Sequence, residues 1–349
     1  MRCSGGAIPE VRILLVKRDK LGDLLLSTPV FAHLKAVLPN AQIHLLANNY
    51  NAWVARGHPA LTRTWVYPRV RQAGRMRLAA ALAQVPLVWQ LRRQRFDWAV
   101  VLGGDDSHRG VRRAIGTGAA RVVAYAKDPS VYGPRLTDPL PPPSRDHEIG
   151  RMFGLLAPLG IAPPTIWSAP TFTLPDEAAT FAGGWLADQG LVPGRFVVLG
   201  LGARRAKKQP TTEQIARWSG HWKAQYGFDT VFMWTPGAAD KPDYPGDDAI
   251  AQPLLAMQCP HIHPFRGPIV EALGLIFNAK TSVFPDSGLM HFAAASPGGV
   301  LGLFADPVDS APASRWAPIG PRAIHIEAER AVRELPDALV LAKLAPLLD

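Results

Sequence analysis

Short apolar runs, each closed by a charged or glycine-bearing turn and followed by a helical stretch, recur along this chain and leave few folds open to it. Residues 11–17 read as a strand buried on both faces, because Ile13, Leu14, Leu15 and Val16 follow one another without a polar break. The turn Arg18-Asp19-Lys20-Leu21-Gly22-Asp23 closes that strand; residues 24–38 then read as a helix with Pro29 near its start, and residues 42–47 as the next strand. This βαβ opening commits the chain to an α/β fold with a parallel sheet covered by helices. Further strands are expected at 65–67, at 96–102 running into Gly103-Gly104-Asp105-Asp106, and at 121–125, with a stiff proline loop at 139–143 and a helix over 146–159.

After the proline-rich stretch 163–175 the alternation starts afresh. Helix 176–189, strand 196–201, a helix from Thr211 or Thr212 to 226, strand 229–234, helix 269–279, and strands 281–284, 300–304 and 323–326 make a second parallel set. With 349 residues, 48% of them hydrophobic and 19% charged, the chain exceeds the size at which one core usually splits. Two Rossmann-like domains are therefore expected, 1–170 and 171–349, with parallel sheets facing a central cleft.

The net charge of +10 is unevenly placed: residues 1–170 carry +13 and residues 171–349 carry −3. An anionic partner for the first half follows, whether a phosphorylated substrate, an acidic membrane surface or nucleic acid. Nucleic acid ranks low among these, since neither a recognition-helix pattern nor an aromatic-interleaved single-strand platform is present. Arginines 69, 71, 75 and 77 flank one end of the apolar stretch 78–91, and arginines 92, 93 and 95 the other. A crossover helix with solvated ends is the plainer reading; a membrane-facing element whose cations meet lipid phosphates is compatible with it. Gln84 and Pro86 interrupt that stretch, which is too short to span a bilayer. Residues 1–10 lack the apolar core of a signal peptide, and only Cys3 and Cys259 are present, so a reducing, cytoplasmic setting is expected.

Two turns suit an anion. Strand 281–284 runs into Asp286-Ser287-Gly288 and a helix of small residues, whose first N–H groups face whatever lies beyond the strand end; Gly288 lets the backbone approach closely. Taken alone, the same turn reads as Asp286 capping a core helix. Strand 196–201 opens into Gly202-Ala203-Arg204-Arg205-Ala206-Lys207-Lys208-Gln209-Pro210, four cations at a strand end without the spacing of a P-loop. Together the two turns would give a diphosphate a helix N-terminus on one side and cations on the other, with no metal needed. His261 and His263 have no third ligand at metal spacing and read as structural residues at a strand end. Asp23 can cap a helix or meet a substrate at the carboxyl end of the first strand, and the roles are compatible.

The segment Ile13-Leu14-Leu15-Val16-Lys17-Arg18-Asp19-Lys20-Leu21-Gly22-Asp23-Leu24-Leu25-Leu26-Ser27-Thr28-Pro29 resembles the first motif of glycosyltransferase family 9, the ADP-heptose:lipopolysaccharide heptosyltransferases. Asp286-Ser287-Gly288-Leu289-Met290-His291, with Phe304-Ala305-Asp306-Pro307 beyond it, resembles the second. The resemblance implies a GT-B fold in which the first domain takes a phosphorylated, lipid-linked core acceptor and the second takes ADP-heptose, with no cofactor. It implies inverting, metal-independent transfer with Asp23 as general base and Arg18, Lys20 and Gly22 toward the acceptor. Lys207 would match the lysine of the family's K-x-W-P pattern, with Lys208, Gly202, Arg204, Asp286, Ser287, Gly288 and His291 around the diphosphate and Asp240 at the ribose. Gln209 departs from that pattern, standing where tryptophan is usual. The same resemblance places the enzyme in the cytoplasm, peripheral to the inner face of the inner membrane. Two other readings stay open at this point: the same fold with another nucleotide-sugar or glycan acceptor, and a non-catalytic binder of anionic lipid or nucleic acid.

Overall fold

The computed structural model describes residues 10–72, 75–76, 78–144, 146–203, 205–238, 240, 246–310 and 312–349. The chain forms two compact units, Met1–Trp167 and Ser168–Asp349. Arg204 lies outside the described residues, as do residues 1–9, Arg77 and most of the loop around Asp240.

In the first unit the order is β1 (Arg12–Val16), α1 (Leu21–Leu25), α2 (Thr28–Val37), β2 (Gln42–Asn48), β3 (Arg63–Tyr67), the small hairpin β4 (Arg71–Gln72) and β5 (Arg75–Met76), α3 (Leu78–Leu82), α4 (Gln84–Arg93), β6 (Trp98–Val101), α5 (His108–Gly116), β7 (Arg121–Tyr125), β8 (Asp138–Leu140) and α6 (Glu148–Gly154). Six of these strands pair in parallel in the order β3-β2-β1-β6-β7-β8. β1 is central: Ile13 lies opposite both Ile43 and Trp98, and Ile13 to Val16 are at most 1% exposed. A strand covered on both faces has no reason to alternate, which is why its sequence is an unbroken apolar run.

The second unit runs α7 (Asp176–Asp188), β9 (Phe196–Gly200), α8 (Thr212–Tyr226), β10 (Asp229–Met233), α9 (Asp248–Ala256), β11 (Ile262–Phe265), α10 (Ile269–Asn278), β12 (Thr281–Pro285), α11 (Gly288–Ala294), β13 (Val300–Phe304), α12 (Ala313–Trp316), β14 (Ala323–Glu327) and α13 (Asp337–Leu348). Its sheet order, β11-β10-β9-β12-β13-β14, repeats that of the first unit, again all parallel. Helix α8 shows the local code plainly: Thr211 and Gln214 form a reciprocal capping box, and Gly227, at φ 73°, closes the helix in the left-handed region. Ile215, Trp218 and Trp222 fall on one face of α8 and are fully buried against β9 and β10, with the Trp222 indole N–H donating to Thr230 Oγ1 at 2.8 Å. Gly200, at the end of β9, leaves room for Phe284: a Cβ there would stand 2.1 Å from the ring.

In each unit the first strand lies mid-sheet and the chain winds outward first to one side, then to the other. The direction reverses between β1 and β6 and between β9 and β12, the place where ligands gather beyond the carboxyl ends of strands.

Several expected elements take a different form. The helix placed at 24–38 begins at Leu21 and breaks after Leu25, because the Ser27 and Thr28 hydroxyls donate back to the Leu24 and Leu25 carbonyls and Pro29 then starts a new helix. The stretch 78–91 is two helices, α3 and α4. The helix at 146–159 is shorter, α6 followed by a single tight turn at Ala157–Leu159. Part of the proline loop at 139–143 is edge strand β8, where Pro139 costs little. Helices α5, α9 and α13 carried too little apolar periodicity or were interrupted by proline, as at Pro253 and Pro346.

Candidate functional site

Each unit has loops that leave its own reversal point. In the first unit, the chain leaving β1 turns through Lys17 and Asp19 into α1. Asp23 sits inside the first turn of α1 rather than ahead of a helix, and its carboxylate accepts the Lys20 N–H at 3.0 Å. Asn48, the last residue of β2, and Asn51, just beyond it, fix this loop by donating to the Arg18 and Asp19 carbonyls at 2.8 and 3.0 Å. Arg18 and Asp23 are half-buried, Lys20 is exposed, and Gly22 is buried within the helix.

Beneath the loop lies a group the sequence did not single out. Lys17 is 1% exposed, with Nζ 3.3 Å from the Asp19 carboxylate and 3.8 Å from Met152 Sδ. Burial works against its charge, yet the fields of Asp19, Asp23 and Glu148 outweigh it and hold its pKa above the ordinary value. Glu148 in turn accepts the Gly104 N–H at 3.0 Å, and buried Arg151 binds the Gly104 carbonyl and Asp105, so the β1 and β6 loops share one charged layer. Beyond β6 and β7, an open depression of about 560 Å³ is lined by Asp105, Asp106, Lys127 and Tyr132.

In the second unit, the loop after β9 brings its two lysines to two carboxylates. Lys208 Nζ lies 2.5 Å from Asp286, both side chains about one-tenth exposed, and Lys207 is bound by the Asp306 carboxylate and the Val308 carbonyl. Asp286 is therefore not the cap of α11: it precedes the capping position, which Ser287 holds in extended geometry, and its carboxylate faces a cation instead. Ser287 Oγ is buried with no hydrogen-bond partner among the described residues, close to Gly202, which adopts φ 47°. Gly288 opens α11, and His291, one turn on, is buried with its ring 6.4 Å from that of Trp316.

The structure thus gathers Gly202, Lys207, Lys208, Asp286, Ser287, Gly288 and His291 at one end of the second sheet. Among the described residues no hydrogen bond or ion pair joins Asp240 to them: Asp240 is an exposed turn residue. His261 and His263 border and enter β11, where they meet Ser219, Gln189 and Asp229. Among the described residues no group of three or more His, Cys, Asp or Glu is placed to hold a metal ion, and no helix is long and apolar enough to cross a membrane.

Sequence reasoning also missed Asp247, a buried carboxylate that joins the loops after β9 and β10. Its partner Gln209 lies 38 residues away, so no local pattern announces the pair.

Comparison with known proteins gives a family and a fold. The description "Glycosyltransferase family 9 (heptosyltransferase)" matches residues 87–337. A family 9 glycosyl transferase from Veillonella parvula shares 16% identity, with 97% of each chain covered and a TM-score of 0.79. E. coli ADP-heptose lps heptosyltransferase II shares 18%, covering 97% of this chain and 98% of that one at 0.70. E. coli heptosyltransferase WaaC, solved with ADP, shares 15%, covering 97% and 100% at 0.72. At these identities the structures speak to the fold, which is GT-B. No curated protein matches the chain by sequence.

Proposed function

The chain belongs to glycosyltransferase family 9, the heptosyltransferases, and from that premise we propose that it transfers a heptose from ADP-heptose to a phosphorylated lipid A core acceptor, with inversion and without a metal. The observation that carries this is the placement of both motif loops at the reversal points of their sheets, an acid in one and paired cations in the other.

The chemistry follows from what each loop offers. The acceptor hydroxyl attacks the anomeric carbon as the bond from that carbon to the diphosphate oxygen breaks; Asp23 takes the hydroxyl proton, and the electron pair leaves with ADP. Charge growing on the leaving diphosphate is met by Lys207 and Lys208 and by the N–H groups that open α11. Ser287 Oγ supplies a donor lacking a partner among the described residues, and His291 stands one turn behind it. Lysine ammonium groups and helix N–H groups are at hand to meet that charge, which is the reason for proposing metal-free transfer. Arg18 and Lys20 would receive acceptor phosphates, and Asp240 the ribose.

ADP release by the purified chain, given ADP-heptose and a heptose-deficient lipopolysaccharide, is expected to proceed at an undiminished rate in EDTA. Loss of release in EDTA would overturn the metal-free step. Binding of ADP with no release from this pair would move the assignment to another nucleotide-sugar or acceptor.

Such an acceptor sits in an anionic membrane, and one face of the first unit suits it. Leu82, Val85 and Trp89 are 71%, 66% and 58% exposed at helical spacing across α3 and α4, while Leu87 and Leu91 pack inward; the Arg93 guanidinium lies 4.4 Å from the Trp89 ring centre. We propose peripheral contact here, at the cytoplasmic face of the inner membrane. The double variant Val85→Glu, Trp89→Glu is expected to bind phosphatidylglycerol-containing vesicles at least about tenfold more weakly than the wild type, each lost apolar anchor removing roughly 1.5–3 kcal/mol. Co-sedimentation with vesicles measures this, and unchanged binding would move the contact elsewhere.

A further inference from the structure

Asp247 is a buried carboxylate of the second unit that belongs to neither lysine pair. It is 3% exposed and stands at the N-terminal cap of α9. One oxygen accepts the Gln209 side-chain amide at 2.5 Å and the other accepts the Thr235 N–H at 2.9 Å, while the Gly202 N–H donates to the same carboxylate. The Asp247 N–H returns a bond to the Thr235 carbonyl at 2.7 Å. Gln209 itself is 8% exposed, and the same amide nitrogen also donates to the Ala203 carbonyl at 3.0 Å.

These bonds grip the loop after β9 at both ends. Gly202 and Ala203 are held where the loop leaves the strand, and Gln209 where it ends, with Lys207 and Lys208 immediately before Gln209. Side-chain directions of two adjacent lysines in a short turn depend on that backbone, because a shift of an ångström moves both ammonium groups off a diphosphate. The residue standing where the family resemblance expects tryptophan is thus given a polar anchor suited to an amide donor.

We propose that Asp247 is a positioning residue for the donor diphosphate: through Gln209 and the Gly202 N–H, it fixes the loop that presents Lys207 and Lys208. This rests on the assignment of that loop to the donor. Burial pushes the Asp247 carboxyl up from the usual carboxylate range, and its hydrogen bonds pull the other way, so the grip depends on every donor staying in place.

The test measures ADP and adenosine affinities by calorimetry on the full chain for wild type, Gln209→Met, Asp247→Asn and the double variant. Met fills the volume of Gln209 without its donor; Asn turns an N–H group toward one of the donors that Asp247 now accepts. Each single variant is expected to bind ADP about tenfold more weakly, the scale of one lost hydrogen bond to a charged group. The double variant is expected to be no weaker than the weaker single, since both cut one connection. Adenosine, which has no diphosphate, is expected to bind all four proteins within about twofold. ADP affinity unchanged in both single variants would overturn the proposal, and so would ADP and adenosine affinities falling by one common factor. A wild type that binds adenosine but gains nothing from the diphosphate would instead remove the donor assignment of the loop.

Discussion

Asp23→Asn is expected to cut turnover by about 10²- to 10⁴-fold, the range for a lost general base, while ADP binds as in the wild type. The variant isolates proton acceptance. Asparagine keeps an oxygen that can accept the Lys20 N–H, so the first turn of α1 keeps that hydrogen bond and loses only the field that Asp23 places on Lys17. The donor loops belong to the other unit, so a change confined to proton transfer lowers kcat without weakening ADP. Asp19 serves as the internal comparison. It is the other acid in the loop, but its carboxylate is engaged by Lys17 at 3.3 Å. Asp19→Asn is therefore expected to cost stability more than chemistry. Initial-rate measurements of ADP release, with ADP affinity measured separately, decide the matter; an Asp23→Asn protein that keeps a tenth or more of wild-type turnover would remove Asp23 as the base.

The parts of this site legible in the sequence were those written locally. A strand buried on both faces shows itself as an unbroken apolar run, as at Ile13 to Val16, and the turn after it must lie beyond the strand's carboxyl end, where α1 then carries Asp23. The Asp286-Ser287-Gly288 turn was legible for the same reason. What the sequence left undecided was whether Asp286 served as a cap, because that depends on Lys208, 78 residues earlier. Gln209 illustrates the opposite case. It looked like a bare departure from a family pattern, and only the fold gives it Asp247 as partner.

Helix breaks were illegible for a related reason. Nothing in the periodicity of residues 24–38 separates one helix from two, since the break is made by the Ser27 and Thr28 hydroxyls turning back on their own backbone. Helix α5 was missed because Val111 and Ala114 are its only buried apolar side chains, too few for a periodic signal among its arginines.

Lys17 is the residue whose importance is most fully a product of the fold. A lysine at a strand end reads as a solvated charge, yet this one is buried against carboxylates drawn from its own loop and, through Glu148, from α6. Lys17→Met is expected to destabilise the first unit by about 3–5 kcal/mol, because removing one partner of a buried charge group strands the others. The double variant Lys17→Met, Glu148→Gln should recover part of that loss, since it removes a stranded charge along with the cation. The pH dependence has a definite sign. The folded-state pKa of Lys17 lies above its ordinary value of 10.5, so its stabilising contribution is complete below pH 10.5 and is lost as pH rises through the folded value. Hydrogen exchange of the β1 amides reads the first unit alone. At neutral pH those amides should lose protection in the Lys17→Met protein, whereas above pH 10.5 the gap between wild type and variant should narrow. A gap that stays constant through that range would mean that the ammonium charge contributes nothing and that Lys17 acts by its packing alone.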